Sequence, residues 1–489
     1  MRKMLVIVLF VMLNLVQHRV LAQNVNILDA NFKNYLVSDL SINTNGDSEI
    51  QVSEAAAFSD TLFVEGFNIA DLTGIEAFTS LTGLNCGNNQ LTSLNISANT
   101  NLAWLLCYYN QLTALDVSAN TALTYLKCNV NELTSLDVSQ NTALNYLECA
   151  NNELTSLNIS GCTVLTVLYC HNNQLTSLDV STNTALEILT CADNQLTTLN
   201  LSQTTALIDL QCHVNQLTSL DASACTSLTI LNCAYNQLLN LIVPDNDLTE
   251  LYCSNNQLSS LDISENTWLY RLACGRNQLT SLDVSNNTEL EYLSCDSNQL
   301  TSLDISANVN LVQFNASYNQ LINLDATNNN ALTYFKCSYN QLTSLDIKSG
   351  ANTLMGFAAL FITYNNLNLV CINVDDAAWS TAHWIYIDST ASFSEDCSVG
   401  IAQHSDNFEL LVYPNPATTQ ITISGYTPAY LKLSNTLGQT VAEATNTLPS
   451  REGTKGCVID ISTLPQGLYV LQVFDAKGGL VKAEKVVKE

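Results

Sequence analysis

A segment of 21 residues recurs along most of this chain, and that period restricts the possible folds more than any other feature of the sequence. A segment this short cannot bury its own apolar face, so neighbouring copies must stack into a solenoid. In one copy, apolar residues stand at Leu165, Leu168, Cys170 and Leu175 around a polar Asn173. The spacing is 21 residues apart from one step of 20, and the repeated asparagines, here called anchoring asparagines, are Asn89, Asn110, Asn131, Asn152, Asn173, Asn194, Asn215, Asn236, Asn256, Asn277, Asn298, Asn319 and Asn340.

The apolar spacing inside each copy predicts two short strands. Leu168-x-Cys170 and Leu178-x-Val180 each alternate with polar residues, which indicates one strand on each side of a coil. With about 4.8 Å between strands, thirteen coils would form a rod about 60 Å long. We expect each anchoring asparagine to stack on the next and to satisfy backbone groups where the chain turns inward.

The repeat resembles the leucine-rich-repeat pattern LxxLxLxxNxL, with cysteine in place of the third leucine. The second half of each unit, Leu175-x-x-Leu178-x-Val180-x-x-Asn183, nests a similar pattern, and this form resembles the bacterial subclass named IRREKO. The resemblance covers residues 81–370 and implies a β-rich leucine-rich-repeat solenoid with two short strands per coil. A degenerate last copy is predicted to end at Asn365.

Most of the 17 cysteines share one position of the repeat, which is predicted to point inward. A free cysteine packs as a small hydrophobic residue, whereas a metal ladder would need closely spaced ligand pairs that the repeat lacks. We therefore expect burial, also for Cys162 and Cys225 in the second half of their coils. The ladder, in which Ala316 stands in once, is Cys86, Cys107, Cys128, Cys149, Cys170, Cys191, Cys212, Cys233, Cys253, Cys274, Cys295 and Cys337.

A second ladder is acidic. Like charges about 5 Å apart repel, so cations shared between coils are one interpretation. The other is that each carboxylate accepts hydrogen bonds from the following Ser and from backbone amides, which we favour. Its members are Asp116, Asp137, Asp179, Asp221, Asp262, Asp283, Asp304, Asp325 and Asp346, with Asn95, Asn158 and Asn200 in the same position.

The first 22 residues have the pattern of a secretory signal. Two basic residues precede an apolar run from Met4 to Val16, and small residues come before a cleavage site after Ala22. The alternative is a membrane anchor, but the run is short for a bilayer. The pattern predicts a secreted chain with no integral membrane segment after signal removal.

Residues 23–80 are predicted to cap the first coil, because an open solenoid exposes its terminal core. Asp29 to Leu36 is a plausible amphipathic helix. The oxygens of Asn43, Asn45, Asp47, Glu49 and Glu54 follow the spacing of an EF-hand loop, which makes calcium a possible ligand. A neutral first position and Ser48 in place of the turn glycine depart from that pattern, so a cap without metal is the default. The segment also resembles the helical cap of internalin-type proteins.

Residues 371–404 follow the last repeat and are predicted to form a C-terminal cap and linker. Cys371 and Cys397 flank a compact segment with Trp379, Trp384 and Phe393. In an oxidising compartment these two cysteines are expected to form a disulfide that closes the cap.

Residues 405–489 contain short alternating strands separated by glycine and proline turns, which predicts a small β-sandwich. Three landmarks resemble the type A sorting domain of the type IX secretion system. That resemblance implies a Gram-negative host of the Bacteroidetes group, contact with the secretion machinery, and export across the outer membrane. It also implies removal of the domain, followed by release or by attachment to surface lipopolysaccharide. The landmarks are Tyr413-Pro414-Asn415-Pro416-Ala417, Leu464 to Tyr469 with Gly467, and Lys485 to Lys488.

Charge and residue pattern exclude several functions. The formal charge is −28, and only six basic residues lie between residues 23 and 404, so nucleic-acid binding is excluded. His171 and His213 share one position two coils apart and lack a nucleophile or metal spacing, so no enzyme is predicted.

The remaining alternatives are a module that binds an extracellular protein or glycan and a structural surface component without a specific ligand. Residues that flank the inward Leu and Cys are expected to face outward on the concave side. Rigid aromatic residues there would provide contact area for a ligand, although Tyr also has a strand preference that is independent of binding. The predicted binding face is Trp104, Tyr108, Tyr125, Tyr146, Tyr169 and His171.

Overall fold

The computed structural model describes residues 23–245, 247–356, 360–397, 411–424, 430–435, 439–445, 456–474 and 480–489. The predicted signal segment, residues 1–22, lies outside these ranges. The chain divides into two compact units, one up to Glu395 and the other from Asp396 onward. Each is described separately.

The first unit is a solenoid built on one parallel sheet of fifteen short strands. Each coil contributes one strand, and a leucine or phenylalanine at its centre is buried while its flanking side chains face outward. Successive strands pair in register, because the repeat returns the chain to the same position after one coil. In sheet order the strands are Thr61–Phe63, Gly83–Asn85, Trp104–Leu106, Tyr125–Lys127, Tyr146–Glu148, Val167–Tyr169, Ile188–Thr190, Asp209–Gln211, Ile230–Asn232, Glu250–Tyr252, Arg271–Ala273, Tyr292–Ser294, Gln313–Asn315, Tyr334–Lys336 and Phe361–Ile362.

The opposite side of the coil also carries parallel strands, but in groups of neighbouring coils. A pair forms where backbone hydrogen bonds bracket the segment, as where Thr155 donates to the Thr134 carbonyl and Val138 to the Asn158 carbonyl. The predicted second strand is therefore present on part of this side. The groups are Ser135–Asp137 with Ser156–Asn158, Ser219–Asp221 with Asn240–Ile242, and Asn323–Asp325 with Ser344–Asp346, Cys371–Asn373 and Ser392–Ser394.

The anchoring asparagines hold the turn after each strand of the main sheet. The Asn173 amide donates to the carbonyls of Cys170, in its own coil, and Cys149, one coil earlier, both at 3.1 Å. Its oxygen accepts from the Leu154 amide at 2.9 Å. One buried side chain thus satisfies three backbone groups, as the sequence predicts.

The last coil corrects the predicted register by one residue. Asn366, not Asn365, donates to the carbonyls of Cys337 and Thr363 and accepts from the Leu342 amide. Asn365 instead adopts a left-handed conformation with φ of 59°. It occupies the turn position that precedes every anchoring asparagine, so the two adjacent asparagines have different roles.

The cysteine ladder fills the interior next to this turn. Its thiols are fully buried, and Cys162 and Cys225 are buried as predicted. Burial raises the pKa of Cys86 and Cys128 to about 12, so these groups stay neutral and pack as small hydrophobic side chains.

The acidic ladder accepts backbone hydrogen bonds, in agreement with the favoured interpretation. Asp116 accepts from the Ser118 amide at 2.9 Å, and the same contact recurs in later coils. The hydrogen bond from the Ser118 hydroxyl, followed by that from the Ser118 amide, lowers the pKa of Asp116.

Short helices cap the N-terminal end of the solenoid, as predicted. The helix Ala30–Ser38 begins after Asp29, whose carboxylate accepts from two amides of the first turn. It buries Phe32 and Leu36, and the helix Val52–Ala57 and the 3-10 helix Ile75–Ala77 follow.

The C-terminal end is covered by residues that follow the last coil. Trp384, after the helix Ala377–His383, stacks on Phe361 with 4.1 Å between ring centroids and donates from Nε1 to the Met355 carbonyl. A 3-10 helix spans Asn352–Met355. Cys371 and Cys397, predicted to pair, are both disulfide-bonded.

The second unit consists of two antiparallel sheets, consistent with the predicted β-sandwich. Its buried side chains include Ile421, Leu431, Leu471 and Val486. The first sheet contains Leu411–Tyr413, Gln420–Ser424 and Gly456–Asp460, and the second contains Thr440–Thr445, Tyr430–Asn435, Gly467–Phe474 and Leu480–Lys488.

Candidate recognition surface

The outward side chains of the main sheet bring four of the six predicted binding residues, from Tyr125 to His171, into continuous ring contact, and Trp104 lies on the next strand. Trp104, Tyr125 and Tyr146 pair directly across three adjacent strands. The rings of Tyr125 and Tyr146 stack at 4.3 Å with 11° between planes, and Tyr169 meets Tyr146 at 5.9 Å. His171 meets Tyr169 at 6.5 Å. We call Trp104, Tyr108, Tyr125, Tyr146, Tyr169 and His171 the aromatic cluster.

Two glycines in the preceding coil make room for the first members of the cluster. A Cβ atom at Gly83 would overlap the indole of Trp104, and one at Gly87 would lie 2.8 Å from Cζ of Tyr108. Both rings therefore lie directly against backbone. These glycines were not predicted from the sequence, although they stand one repeat before Trp104 and Tyr108.

Tyr108 stands at the edge of the cluster, beside the cap. Its hydroxyl donates to Glu65 at 2.8 Å, and burial together with this carboxylate raises its pKa. Phe63, which is 56% exposed, reaches Trp104 with 5.9 Å between centroids. The aromatic surface thus extends from the cap into the repeats.

Charged groups hold the centre of the cluster. Lys127 forms an ion pair of 3.0 Å with Glu148, and its ammonium lies 5.8 Å and 5.4 Å from the ring centres of Tyr125 and Tyr146. Tyr146 donates to Glu148 at 3.0 Å, and burial followed by this hydrogen bond raises the pKa of its phenol. These contacts fix the ring orientations before any ligand arrives.

His171 is half-buried at the far edge of the cluster. Its Nδ1 atom has no hydrogen-bond partner within the described part of the chain. Burial lowers its pKa, so the imidazole is neutral at pH 7.

The structure places the predicted calcium residues in one loop whose oxygens accept hydrogen bonds. Asp47 accepts from the Glu49 amide at 2.8 Å and from the Asn45 side chain at 3.0 Å. Glu49 pairs with Lys33 at 2.7 Å. No group of three or more Asp, Glu, His or Cys in the described ranges is arranged to hold a metal ion.

The last predicted calcium ligand, Glu54, lies in the first turn of the helix Val52–Ala57. Glu54 accepts from the Gln51 amide at 3.0 Å and from the Asn45 amide at 3.1 Å. Burial acts to raise its pKa, but these hydrogen bonds outweigh burial and lower it. Asn43 donates to the Val37 and Asp47 carbonyls. The carboxylates of the loop thus accept from nearby donors, whereas the buried Oδ1 atom of Asn43 has no partner within the described residues, and calcium binding stays a prediction.

A second row of outward residues was not predicted from the sequence. The residue before each anchoring asparagine has a positive φ, between 49° and 59° in the repeats. This left-handed conformation suits Asn, yet Tyr stands there in four coils and Val in two. Two of these residues, Tyr318 and Tyr339, stack at 4.2 Å on the surface. We call this row the turn row.

The three sorting landmarks of the second unit meet at one edge. The Asn415 side chain donates to the Lys485 carbonyl at 2.6 Å and accepts from the Val487 amide at 2.8 Å. In the strand before, Gly467 pairs with Lys488 and Tyr469 with Val486. The motifs are therefore parts of one structural element.

Other residues of the landmarks shape the chain next to that edge of the sheet. Cis peptide bonds precede Pro414 and Pro416, and Tyr413 is half exposed. Tyr469 donates from its hydroxyl to the Pro465 carbonyl at 2.8 Å, and Lys488 donates to the Thr418 carbonyl.

Comparison with known protein families identifies the second unit. Residues 411–489 match the secretion system C-terminal sorting domain. The protein is a leucine-rich-repeat solenoid with a C-terminal sorting domain. The sorting domain directs it through the type IX secretion system to the cell surface or beyond. Among the described residues, no helix has the length and apolar character needed to cross a membrane.

Solved structures of bacterial leucine-rich-repeat proteins are similar to the solenoid. The functional domain of InlJ from Listeria monocytogenes, which includes a cysteine ladder, is 28% identical with a TM-score of 0.59. That match covers 96% of this chain and 98% of the Listeria chain. A leucine-rich-repeat protein of Leptospira interrogans is 21% identical with a TM-score of 0.52, over 70% of this chain and 97% of the other. The comparison with curated proteins found no match.

Proposed function

We propose that the solenoid is a non-catalytic recognition module that binds an extracellular protein or glycan through the aromatic cluster. The observation that carries this proposal is the series of ring contacts from Tyr125 through Tyr146 to Tyr169, with Trp104 at the paired position of the next strand, on one face of the sheet. Export by the sorting domain would bring this face to ligands outside the cell.

The geometry of the cluster favours binding over a purely structural role. Trp104 and Tyr108 rest on glycine backbone, and Lys127 and Glu148 hold the central rings. Rings fixed in advance lose little conformational entropy when a ligand covers them. Aromatic side chains with such support dominate the energetics of protein interfaces and can stack on sugar rings.

The chemistry of the solenoid supports a role without catalysis. The ladder thiols, such as Cys107 and Cys170, are buried and their pKa is raised, so they are poor nucleophiles. His171 has no nucleophile among its described partners. A recognition role needs neither a reactive thiol nor a nucleophile beside the histidine.

The test begins with an array of extracellular proteins and glycans probed with the protein that lacks residues 1–22. The double variant Trp104→Ala with Tyr125→Ala should then weaken binding of the ligand found by roughly 2 kcal/mol for each hot spot. Trp268→Ala is the matched control, since this indole is 60% exposed outside the cluster. Unchanged affinity in the folded double variant would contradict the proposal.

The structural alternative predicts a different result. If the rings only stabilise the sheet, the double variant would lower the unfolding temperature, and the array would give no ligand. A ligand whose affinity falls while circular dichroism stays unchanged would exclude that alternative.

A further inference from the structure

A trough with a volume of about 330 Å³ lies on the outer face of the main sheet, away from the aromatic cluster. It spans the coils between His213 and Asp296. His213, at this start, lies two coils from His171, the nearest member of the aromatic cluster, or about 10 Å, and the trough and the cluster share no residue. The trough therefore forms a site separate from the cluster.

Three consecutive small residues form the floor of the trough. Ala234, Ser254 and Gly275 each follow the ladder cysteine of their coil, and backbone hydrogen bonds from the next residue align them. At this position the coil before carries His213 and the coil after carries Asp296, which close the two ends. The floor thus ends where larger, polar side chains return.

Asp296 is held over the end of the floor. A Cβ atom on Gly275 would lie 2.5 Å from Asp296 Oδ1, so only glycine leaves room for this carboxylate. Ser294 and Ser297 donate to its two oxygens at 2.8 Å and 3.1 Å. A fixed acceptor of this kind suits a hydroxyl donor on a ligand.

Turn-row residues form one rim. Tyr235, Asn255 and Arg276 have φ values of 54°, 57° and 53°. This conformation suits Asn but is unfavourable for Tyr and Arg. Tyr235 is 58% exposed, so its ring contributes little to the core.

Arg276 provides the positive charge of the trough. Within the described residues its guanidinium forms no ion pair and no hydrogen bond. In a chain of net charge −28, Arg276 is one of six basic residues between residues 23 and 404, of which Lys33 and Lys127 form ion pairs. Because the Arg276 side chain is exposed and has no ion pair in the described part of the chain, its guanidinium is available to bind a ligand anion.

Tyr252 and Asn232 form the opposite rim. The Tyr252 hydroxyl donates to Glu250, and burial followed by this hydrogen bond raises its pKa to about 12. Its ring is therefore held in place and stays neutral. Asn232 accepts from the Ala234 amide at 3.3 Å and keeps its side-chain NH₂ group for other contacts.

We propose that this trough binds a carboxylate-bearing sugar of an acidic glycan. The guanidinium of Arg276 would bind the carboxylate through two parallel hydrogen bonds. The Tyr235 ring would pack on the sugar, and Asp296 and Asn232 would bind its hydroxyls. A volume near the lower end of ligand pockets, about 300 Å³, fits one or two sugar rings. The fixed Asp296 carboxylate disfavours a doubly charged phosphate.

The test compares two oligosaccharides that differ in one group. The protein without residues 1–22 is titrated with an oligogalacturonate and with the matching neutral oligogalactose. We expect roughly tenfold tighter binding of the uronate, reduced by salt, because a charge-assisted pair adds to the shared sugar contacts. Equal affinity, tighter binding of the neutral sugar, or no binding of either would overturn the proposal.

Variants locate the interaction. Arg276→Gln should remove the preference for the uronate, whereas Lys336→Gln removes one charge three coils away and should retain it. Tyr235→Asn should weaken both sugars and leave the fold intact, because Asn suits the left-handed turn. An unchanged preference in Arg276→Gln would contradict the proposal.

Two further controls separate this site from other interpretations. Loss of uronate binding in the Trp104→Ala, Tyr125→Ala variant would place the sugar at the aromatic cluster and overturn the trough. Equal binding of a poly-glutamate peptide would show that charge alone is recognised, which would overturn the sugar assignment. Failure of the array experiment leaves these measurements unaffected.

Discussion

Asn194 and Asn173, in adjacent coils, both donate to the same backbone carbonyl of Cys170 at 3.1 Å. One carbonyl thus joins two coils through two side chains, and each asparagine repeats the arrangement with its other neighbour. The solenoid is held by a continuous series of such shared acceptors along the buried turn. The anchoring asparagine therefore stabilises contacts between coils as well as its own turn.

Replacing one anchoring asparagine should strongly destabilise the solenoid. Asn194→Ala leaves the buried Leu175 amide without its acceptor, at a cost of about 1–3 kcal/mol, and removes one of the two asparagine donors from each of the Cys170 and Cys191 carbonyls. Urea unfolding followed by circular dichroism measures the loss. Asn286→Ala is the control, since its single hydrogen bond to the Ser264 carbonyl is exposed. Equal midpoints for the two variants would contradict the role assigned to the ladder.

The opposite side of the coil has a second asparagine ladder, in which Cys162 is a substitute. Asn308 donates to the Val284 and Asn287 carbonyls, and Cys162 Sγ reaches the equivalent carbonyls at 3.3 Å and 3.7 Å. Because a thiol is a weak donor, Cys162→Asn should stabilise the protein by about 1 kcal/mol. The measurement is the urea midpoint, with Cys170→Asn as the contrasting variant. Stabilisation by Cys170→Asn, at a position with no carbonyl to accept from the new amide, would refute the argument.

Stability should fall in alkaline solution because the ladder thiols are buried. Burial raises the pKa of Cys86, Cys191 and Cys253 to about 12. In the unfolded chain these thiols ionise above about pH 8.5, so the unfolded state binds fewer protons than the folded state. Stability is then constant below pH 8.5 and falls by up to about 1.4 kcal/mol per pH unit for each thiol up to pH 12. Urea unfolding between pH 7 and pH 10.5 tests this, and a flat profile would contradict it.

The cap loop should be stable without calcium. Glu54→Gln weakens the hydrogen bonds at the start of the helix Val52–Ala57 and should cost about 1 kcal/mol with or without added calcium. The measurement is the unfolding temperature in millimolar calcium and in chelator, with Glu132→Gln, an exposed carboxylate in the repeats, as the control. A calcium-dependent increase that Glu54→Gln abolishes would establish the metal site instead.

The repeat allowed the sheet, its register and its buried ladders to be predicted. A 21-residue period returns each side chain to the same environment, so one coil describes the others. The turn row was missed because left-handed φ values at Val130 and Val214 oppose the preferences of the residues. The coil geometry overrides the local preference there.

The trough was missed for a different reason. It depends on three neighbouring coils that have a small residue directly after the ladder cysteine. These residues are Ala234, Ser254 and Gly275. Each is unremarkable alone, and only their alignment across the sheet produces a depression. Likewise, Asn365 and Asn366 are indistinguishable by type, and only the backbone shows which one is the anchor.

Export should depend on the edge where the sorting motifs meet. Asn415→Ala removes both hydrogen bonds to the terminal strand, at Lys485 and Val487, so this strand should lose its fixed position. We expect the variant to accumulate in the periplasm, as should a chain that lacks residues 405–489. Asn435→Ala, in the same unit, is the matched control. Surface display is measured by labelling of intact cells, with periplasmic extracts as the complement. Normal display of Asn415→Ala would show that the edge is not what the secretion machinery recognises, and normal display of the truncated chain would contradict the role of the domain.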